Sequence, residues 1–265
     1  MRLRIRHTTQ YSFEQPISSG LQQLRKTPKS SHNQTVMSWR TGIVGGKKEL
    51  AFDDHHNNVV ELLSIERGAT SLAVTSEGEV EIADGHGIVG PHIGPAPLWL
   101  YSKPTPRTKA GQGVAKLVQS LPSGETLERL HALLTGVYEA VAYEVGSSEP
   151  EWSAEDALTA GQGVCQDHAH VFLAAVRQLG LPGRYVSGYL MLNDRIEQDA
   201  MHAWAEAYVD GLGWVGFDPS NGISPDTRYV RVATGLDYSD AAPVTGTRTG
   251  GAGERLAVEI EVAQQ

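Results

Sequence analysis

One cysteine, one histidine and one aspartate are spaced so that they could perform acyl transfer. Cys165 is the single cysteine of 265 residues, and it follows Gly161-Gln162-Gly163-Val164 where a helical pattern begins. A helix start leaves backbone N–H groups unpaired and carries the positive end of the macrodipole, a setting that favours a thiolate. Gly161 and Gly163 remove side chains from the approach to the sulfur, as a substrate backbone would require. His202 opens an alternating strand: His202, Trp204, Glu206 and Tyr208 share one face, and Ala203, Ala205, Ala207 and Val209 the other. The turn Asp210-Gly211-Leu212-Gly213 sends the chain back, so Asp218 returns beside His202, and Pro219 ends the ladder there. Nucleophile, base and orienting carboxylate are the parts that thiol acyl transfer needs.

Two other classes compete with an enzyme. A metal-binding module would use Cys165, His168, His170 and His202, but His170 lies about 500° round the helix from Cys165 and so on a different face. A silent scaffold could bind peptides through the same cleft. Individually, a lone cysteine is commonly a small buried hydrophobe and a strand-end histidine a satisfied surface or core residue.

The elements that must position these residues form an α+β chain. Residues 1–100 alternate with period two, as in Leu3 and Ile5 against Arg2, Arg4 and Arg6, the pattern of antiparallel strands. Between Gly85 and Pro106 five prolines interrupt any helix, which leaves an edge strand or linker and sets a boundary between a β-rich domain, 1–100, and a catalytic domain, 101–265. Beyond it, Val114, Leu117, Val118 and Leu121, then Leu127 through Val141, recur at helical spacing. A third helix runs from near Gly163 to Gly180-Leu181-Pro182-Gly183. Strands follow at Arg184 to Leu192, His202 to Val209 and Trp214 to Asp218, then a Gly/Thr/Pro-rich loop, Asp240 to Arg255, and a closing strand, Leu256 to Val262. Helices followed by an antiparallel sheet, with the cysteine on a helix and the other two residues on the sheet, describe the second domain.

Four runs together carry a resemblance: Gly161 to His170 (GQGVCQDHAH), Leu179 to Tyr189 (LGLPGRYVSGY), His202-Ala203-Trp204-Ala205-Glu206, and Gly213 to Pro219 (GWVGFDP). They resemble the bacterial transglutaminase-like superfamily, of papain-type fold. Ile5 to Tyr11 and Asp53 to Val59 are similar to the β-rich N-terminal region of one branch of that family, and Gly235 to Val244 extends the likeness. The resemblance implies a catalytic triad of Cys165, His202 and Asp218. His168 departs from it, standing where a bulky apolar or aromatic residue is usual; packing under the sheet is the expected role, and tuning the thiol or touching substrate the alternative. The Cys165 N–H is one natural oxyanion donor. Tyr143 is the candidate for a second; Gln166 is adjacent but is expected on another helix face, and Tyr189 and Trp204 are expected to line the cleft or core.

The expected function is therefore a cysteine hydrolase, a protease or amidase acting on a peptide, a protein or a small amide, with acyl transfer to an amine as the alternative. No cofactor and no metal are expected. Net charge is −9, all of it beyond residue 100, which argues against nucleic-acid or anionic-membrane partners. A single cysteine excludes an internal disulfide or a multi-cysteine metal site, and the N-terminal residues lack a signal-like apolar run, so a cytoplasmic location is expected. Gly42 to Lys48 lacks the spacing of a phosphate loop, and Ser187 lacks the glycines of a nucleophile elbow. His55-His56 beside Asp53-Asp54 reads as a solvated turn.

Overall fold

The computed structural model describes residues 1–265. In chain order the strands are β1 (Arg2–Ser12), β2 (Ile17–Thr27), β3 (Gln34–Val44), β4 (Gly46–Asp53), β5 (Val59–Ile65), β6 (Ser71–Ile82) and β7 (Ile88–Gly90). Helices α1 (Gln112–Ser120) and α2 (Thr126–Ala140), the short β8 (Ala142–Tyr143), α3 (Ala154–Ala160), β9 (Gln162–Gly163) and α4 (Cys165–Gln178) come next. The chain then gives β10 (Gly183–Leu190), β11 (Glu197–Gln198), β12 (His202–Val209), β13 (Gly213–Phe217), β14 (Tyr229–Gly235), α5 (Tyr238–Ala241), β15 (Val244–Gly250) and β16 (Arg255–Gln264).

Three large sheets and the two-stranded pair β8-β9 organise them. The central sheet runs β14-β10-β12-β13-β7, all antiparallel, so the proline-rich stretch does supply an edge strand. The alanine face of β12 packs on α4, because only a row of methyl side chains lets a helix approach so closely; Ala203, Ala205 and Ala207 share a core with Phe172, Val176 and Phe217. Helices α1 to α3 surround α4 on its other sides. Helix α3 escapes the periodicity reading at seven residues, although its start is signalled: Ser153 and Asp156 form a reciprocal capping box.

The other two sheets, β11-β16-β1-β6-β3 and β15-β2-β5-β4, form a sandwich. Its interior holds Tyr11, Phe13, Ile17, Leu24, Leu63 and Leu72. Val244–Gly250, read as loop, is a strand paired with β2, and β16 pairs with β1 from Leu3↔Gln264 to Ser12↔Arg255. Sheet membership thus does not follow a cut at residue 100, because the chain's last strands return to the first ones.

The sandwich docks on the central sheet in two ways. Leu3, Ile5, Val80 and Ile260 pack with Tyr189, Val230 and Val232. At the free edge of β14, two side-chain amides imitate a neighbouring strand: Gln34 donates to the Arg231 carbonyl and accepts from its N–H, and Asn58 does the same for Thr234, all at 2.7–2.9 Å. The Asp54 carboxylate shapes the turn that presents Asn58. His56 in this turn is buried rather than solvated: its Nδ1 lies 3.1 Å from the Tyr101 hydroxyl and its Nε2 3.3 Å from Asp240. No helix is long and apolar enough to cross a membrane.

Candidate active site

Cys165 is the first residue of α4 and is 9% exposed. Asp167 holds that helix start, accepting from the Val164 N–H at 2.8 Å. At the first helical residue no preceding turn supplies an acceptor, so the Cys165 N–H is open to a ligand. His202 opens β12, and the β12–β13 register brings Asp218 back to it: Nε2 stands 2.7 Å from Asp218 Oδ2. A carboxylate only accepts, so Nε2 carries the proton, and Nδ1 is the nitrogen left to face Cys165, whose charge helps to raise the imidazole.

The carboxylate is held from every side. Oδ2 accepts from His202, from Asn221 Nδ2 at 2.7 Å and from the Tyr229 hydroxyl at 2.7 Å. Oδ1 accepts from the Ser220 N–H at 3.0 Å, the Ser220 hydroxyl at 2.7 Å and the Asn221 N–H at 3.3 Å. Sequence reasoning missed Ser220, Asn221 and Tyr229. Asp218-Pro219-Ser220-Asn221 is a legible aspartate-led turn, whereas Tyr229 arrives from β14 with no local signal.

Burial opposes charge on both residues, but these bonds outweigh it. The His202 imidazole is pushed up to about 10 by Asp218 and Cys165 despite desolvation, and the buried Asp218 carboxyl is held down at about 2 by His202, Asn221 and Ser220. The stabilising contribution of His202 is therefore complete below its ordinary value of about 6.5 and is lost as pH rises through about 10; that of Asp218 is present above about 3.8 and is lost as pH falls through about 2. Buried Lys26, lowered to about 7, adds the opposite slope between 7 and 10.5. Comparison with His202→Gln cancels that slope: urea midpoints should show the native protein's advantage greatest near pH 6 and shrinking toward pH 10. A gap that grows with pH would contradict the assignment.

The remaining sequence candidates divide. Tyr143 is brought close: β8 pairs in parallel with β9, Tyr143 opposite Gly163, and its half-exposed phenol is raised by burial, then by the Cys165 and Asp218 charges. Gln166, expected on another helix face, lines the cleft together with His202. His168 does not contact substrate space. It is buried, with Nδ1 2.8 Å from the Val164 carbonyl and Nε2 2.8 Å from the Val141 carbonyl, joining α4 to the segment that carries Tyr143. Tyr189 is buried in the contact between sandwich and central sheet, its hydroxyl 3.1 Å from His7 Nδ1. Trp204 stacks on His202 and meets Tyr229 edge-on, so it supports the imidazole from behind. The aromatic residues that line the cleft are Tyr11, Tyr185 and Tyr238. His170 is buried against Tyr185 and receives the Tyr238 N–H at 3.3 Å, and no three histidine, cysteine or acidic side chains are grouped closely enough to hold a metal ion.

Comparison with known proteins shows the family and the fold. Residues 114–219 match the model of the transglutaminase-like superfamily, and residues 3–81 match that of the bacterial transglutaminase-like N-terminal region. An uncharacterized protein of Mycobacterium leprae is 30% identical over 99% of this chain and 99% of its own. One of Mycobacterium tuberculosis is 28% identical over 92% of this chain and 87% of its own. The crystal structure of a proposed cysteine protease from Cytophaga hutchinsonii superposes with a TM-score of 0.78 at 20% identity, covering 99% of this chain and 90% of that one, which establishes the shared fold. With both halves matched in order and a relative aligned from end to end, the chain belongs to the transglutaminase-like superfamily.

Proposed function

We propose that the protein is a cysteine-dependent hydrolase of amide bonds that works through an acyl-enzyme on Cys165. The observation that carries this reading is the His202 ring, bonded through Nε2 to the buried Asp218 and close enough to Cys165, at the start of α4, for their charges to interact. His202 takes the thiol proton, and the thiolate attacks the carbonyl carbon, so that a C–S bond forms as the carbonyl electron pair moves onto oxygen. The Cys165 N–H meets that oxyanion, and the Tyr143 phenol is the side-chain candidate to assist it. Collapse breaks the C–N bond, and the amine leaves with the proton from His202. Water then enters, His202 removes its proton, and addition to the thioester releases the acid and regenerates the thiol pair. Asp218 accepts from Nε2–H throughout, which fixes the tautomer and steadies the imidazolium.

One feature favours the alternative acceptor. The segment before His202 exposes Asp194, Glu197 and Asp199, and Asp199 stands at the cleft mouth, where it would attract a cationic amine. Hydrolysis needs only an open cleft, and a polar segment of this kind does not exclude water. Partitioning decides between them. With an acyl donor and millimolar dansylcadaverine, free acid should predominate and be insensitive to the amine, and mass spectrometry should find the transient acyl group on Cys165. Predominant amine adduct would make the protein a transferase, and an acyl group on no residue would end the thiol mechanism.

A further inference from the structure

The cleft is not built by the central sheet alone. Its cavity, about 230 Å³, lies between the two parts of the chain and is lined by Gln166, Tyr185 and His202 on one side and by His7, Thr9 and Lys26 on the other. One stripe of β1 explains why. Leu3 and Ile5 pack on the central sheet and Tyr11 packs in the sandwich, while His7 and Thr9 break the apolar run between them. The same occurs on β2, where alternation points Lys26 inward with Leu24.

Lys26 is fully buried (0% exposed) and makes no ion pair. Its ammonium donates one hydrogen bond, to the Thr9 hydroxyl. Thr9 lies 3.2 Å from His7 Nε2, whose other nitrogen faces the Tyr189 hydroxyl. Burial and the Lys26 charge hold His7 well below its ordinary value, so its ring stays neutral and spans Thr9 and Tyr189 with one donated and one accepted bond. That chain offers Lys26 the Thr9 hydroxyl oxygen and no negative charge. Two of the three ammonium protons remain without a protein acceptor, on a side chain that lines the same cavity as the reacting imidazole. An unpaired buried cation is costly to a fold, and the charge that would complete this one is an anion entering the cleft.

We propose that Lys26, presented by the β-sandwich, is a carboxylate-recognition residue of the cleft, selecting amide substrates that carry a carboxylate close to the scissile bond. The assignment rests on the proposed function only for what happens after binding. At about 230 Å³ the cavity is smaller than the roughly 300–1,000 Å³ of drug-sized ligand sites, which suits a short, compact segment. Lys26, lowered to about 7 by burial, gains its proton when an anion arrives. Of the other groups facing the cavity, His7 stays neutral, His202 is pushed up to about 10, Tyr11, Tyr185 and Tyr238 are raised by burial, and Asp199 is an exposed carboxylate of the lining.

Calorimetry on the full chain carrying Cys165→Ala, which removes turnover from the measurement, tests this. The probes are N-acetyl-dialanine, its C-terminal amide, and N-acetyl-glutamic acid α-amide, which separate a terminal carboxylate, no carboxylate and a side-chain carboxylate. At pH 6 one of the two acids should bind at least about tenfold more tightly than the neutral amide, and which one does so names the source of the carboxylate. Adding Lys26→Met should abolish that preference while leaving the neutral amide within about twofold. With Lys26 intact, the preference should fade between pH 6 and pH 9, a readout that stands even if Lys26→Met fails to fold. Equal binding of acids and amide, no binding of either acid at millimolar concentration, or a preference that survives Lys26→Met would overturn the proposal. None of these outcomes depends on catalysis, so a carboxylate preference in Cys165→Ala would leave Lys26 standing even if the native chain hydrolysed no amide.

Discussion

Cys165→Ala is expected to fold as the native chain does and to lose turnover by at least on the order of 10⁴-fold. The side chain is small and nearly buried against a core of alanines, so removing one sulfur should cost no more than about 1 kcal/mol. Its chemistry has no substitute. No second cysteine exists in the sequence, and the remaining site groups can bind an amide and polarise it but cannot form a thioester. The measurement pairs steady-state rate with a urea midpoint. A variant that kept a tenth of the native rate would exclude covalent catalysis through sulfur, whereas an unfolded one would be recognised by its midpoint and replaced by Cys165→Ser.

The second large effect belongs to Asp218. In Asp218→Ala six donor contacts lose their acceptor in a fully buried site, and His202 loses the partner that holds its Nε2. Destabilisation of about 3–5 kcal/mol is expected, the range for removing one member of a buried charged pair. Asp218→Asn separates stability from rate, since the amide keeps the volume and one acceptor oxygen while giving up the charge. It should retain most of the fold, yet fall by on the order of 10²–10⁴ in kcat, because the imidazolium formed during acyl transfer is no longer stabilised. A near-native rate in Asp218→Asn would mean that His202 is oriented by Trp204, Tyr229 and Asn221 without help from the carboxylate.

These two residues, with His202, were legible because their signals are local: a cysteine after a glycine-rich turn, and a hairpin whose two ends must meet. Features made by distant pairings were not. Tyr229 reaches Asp218 only because β14 returns to β10 across a long intervening segment. Val244–Gly250 reads as loop because it is a largely exposed edge strand of threonines and glycines, with no buried face to impose alternation. That Gln166, on another helix face from Cys165, lines the cleft could not be read from the sequence, which does not show that β1 and β2 stand opposite the first turn of α4. Tyr189 belongs to the contact between sandwich and central sheet, a surface that no single-domain pattern contains. The inward-facing Lys26 was visible as a lysine on a strand, but its solitude emerges only when every neighbour is in place.

The pairing of β1 with β16 bears on how the chain is made. β1 meets β6 once about eighty residues exist, but its other edge stays bare until β16 is synthesised some 250 residues later. At roughly 5–20 residues per second that is a wait of about ten to fifty seconds. An open strand edge is a template for foreign strands, and charged side chains are the usual protection. Arg2, Arg4 and Arg6, alternating outward along β1, supply it, and Glu79 and Glu77 on the neighbouring strand pair with Arg2 and Arg6. The arginines that first mark β1 as a strand thus also guard a nascent chain whose opening strand must remain unclaimed until its last partner emerges.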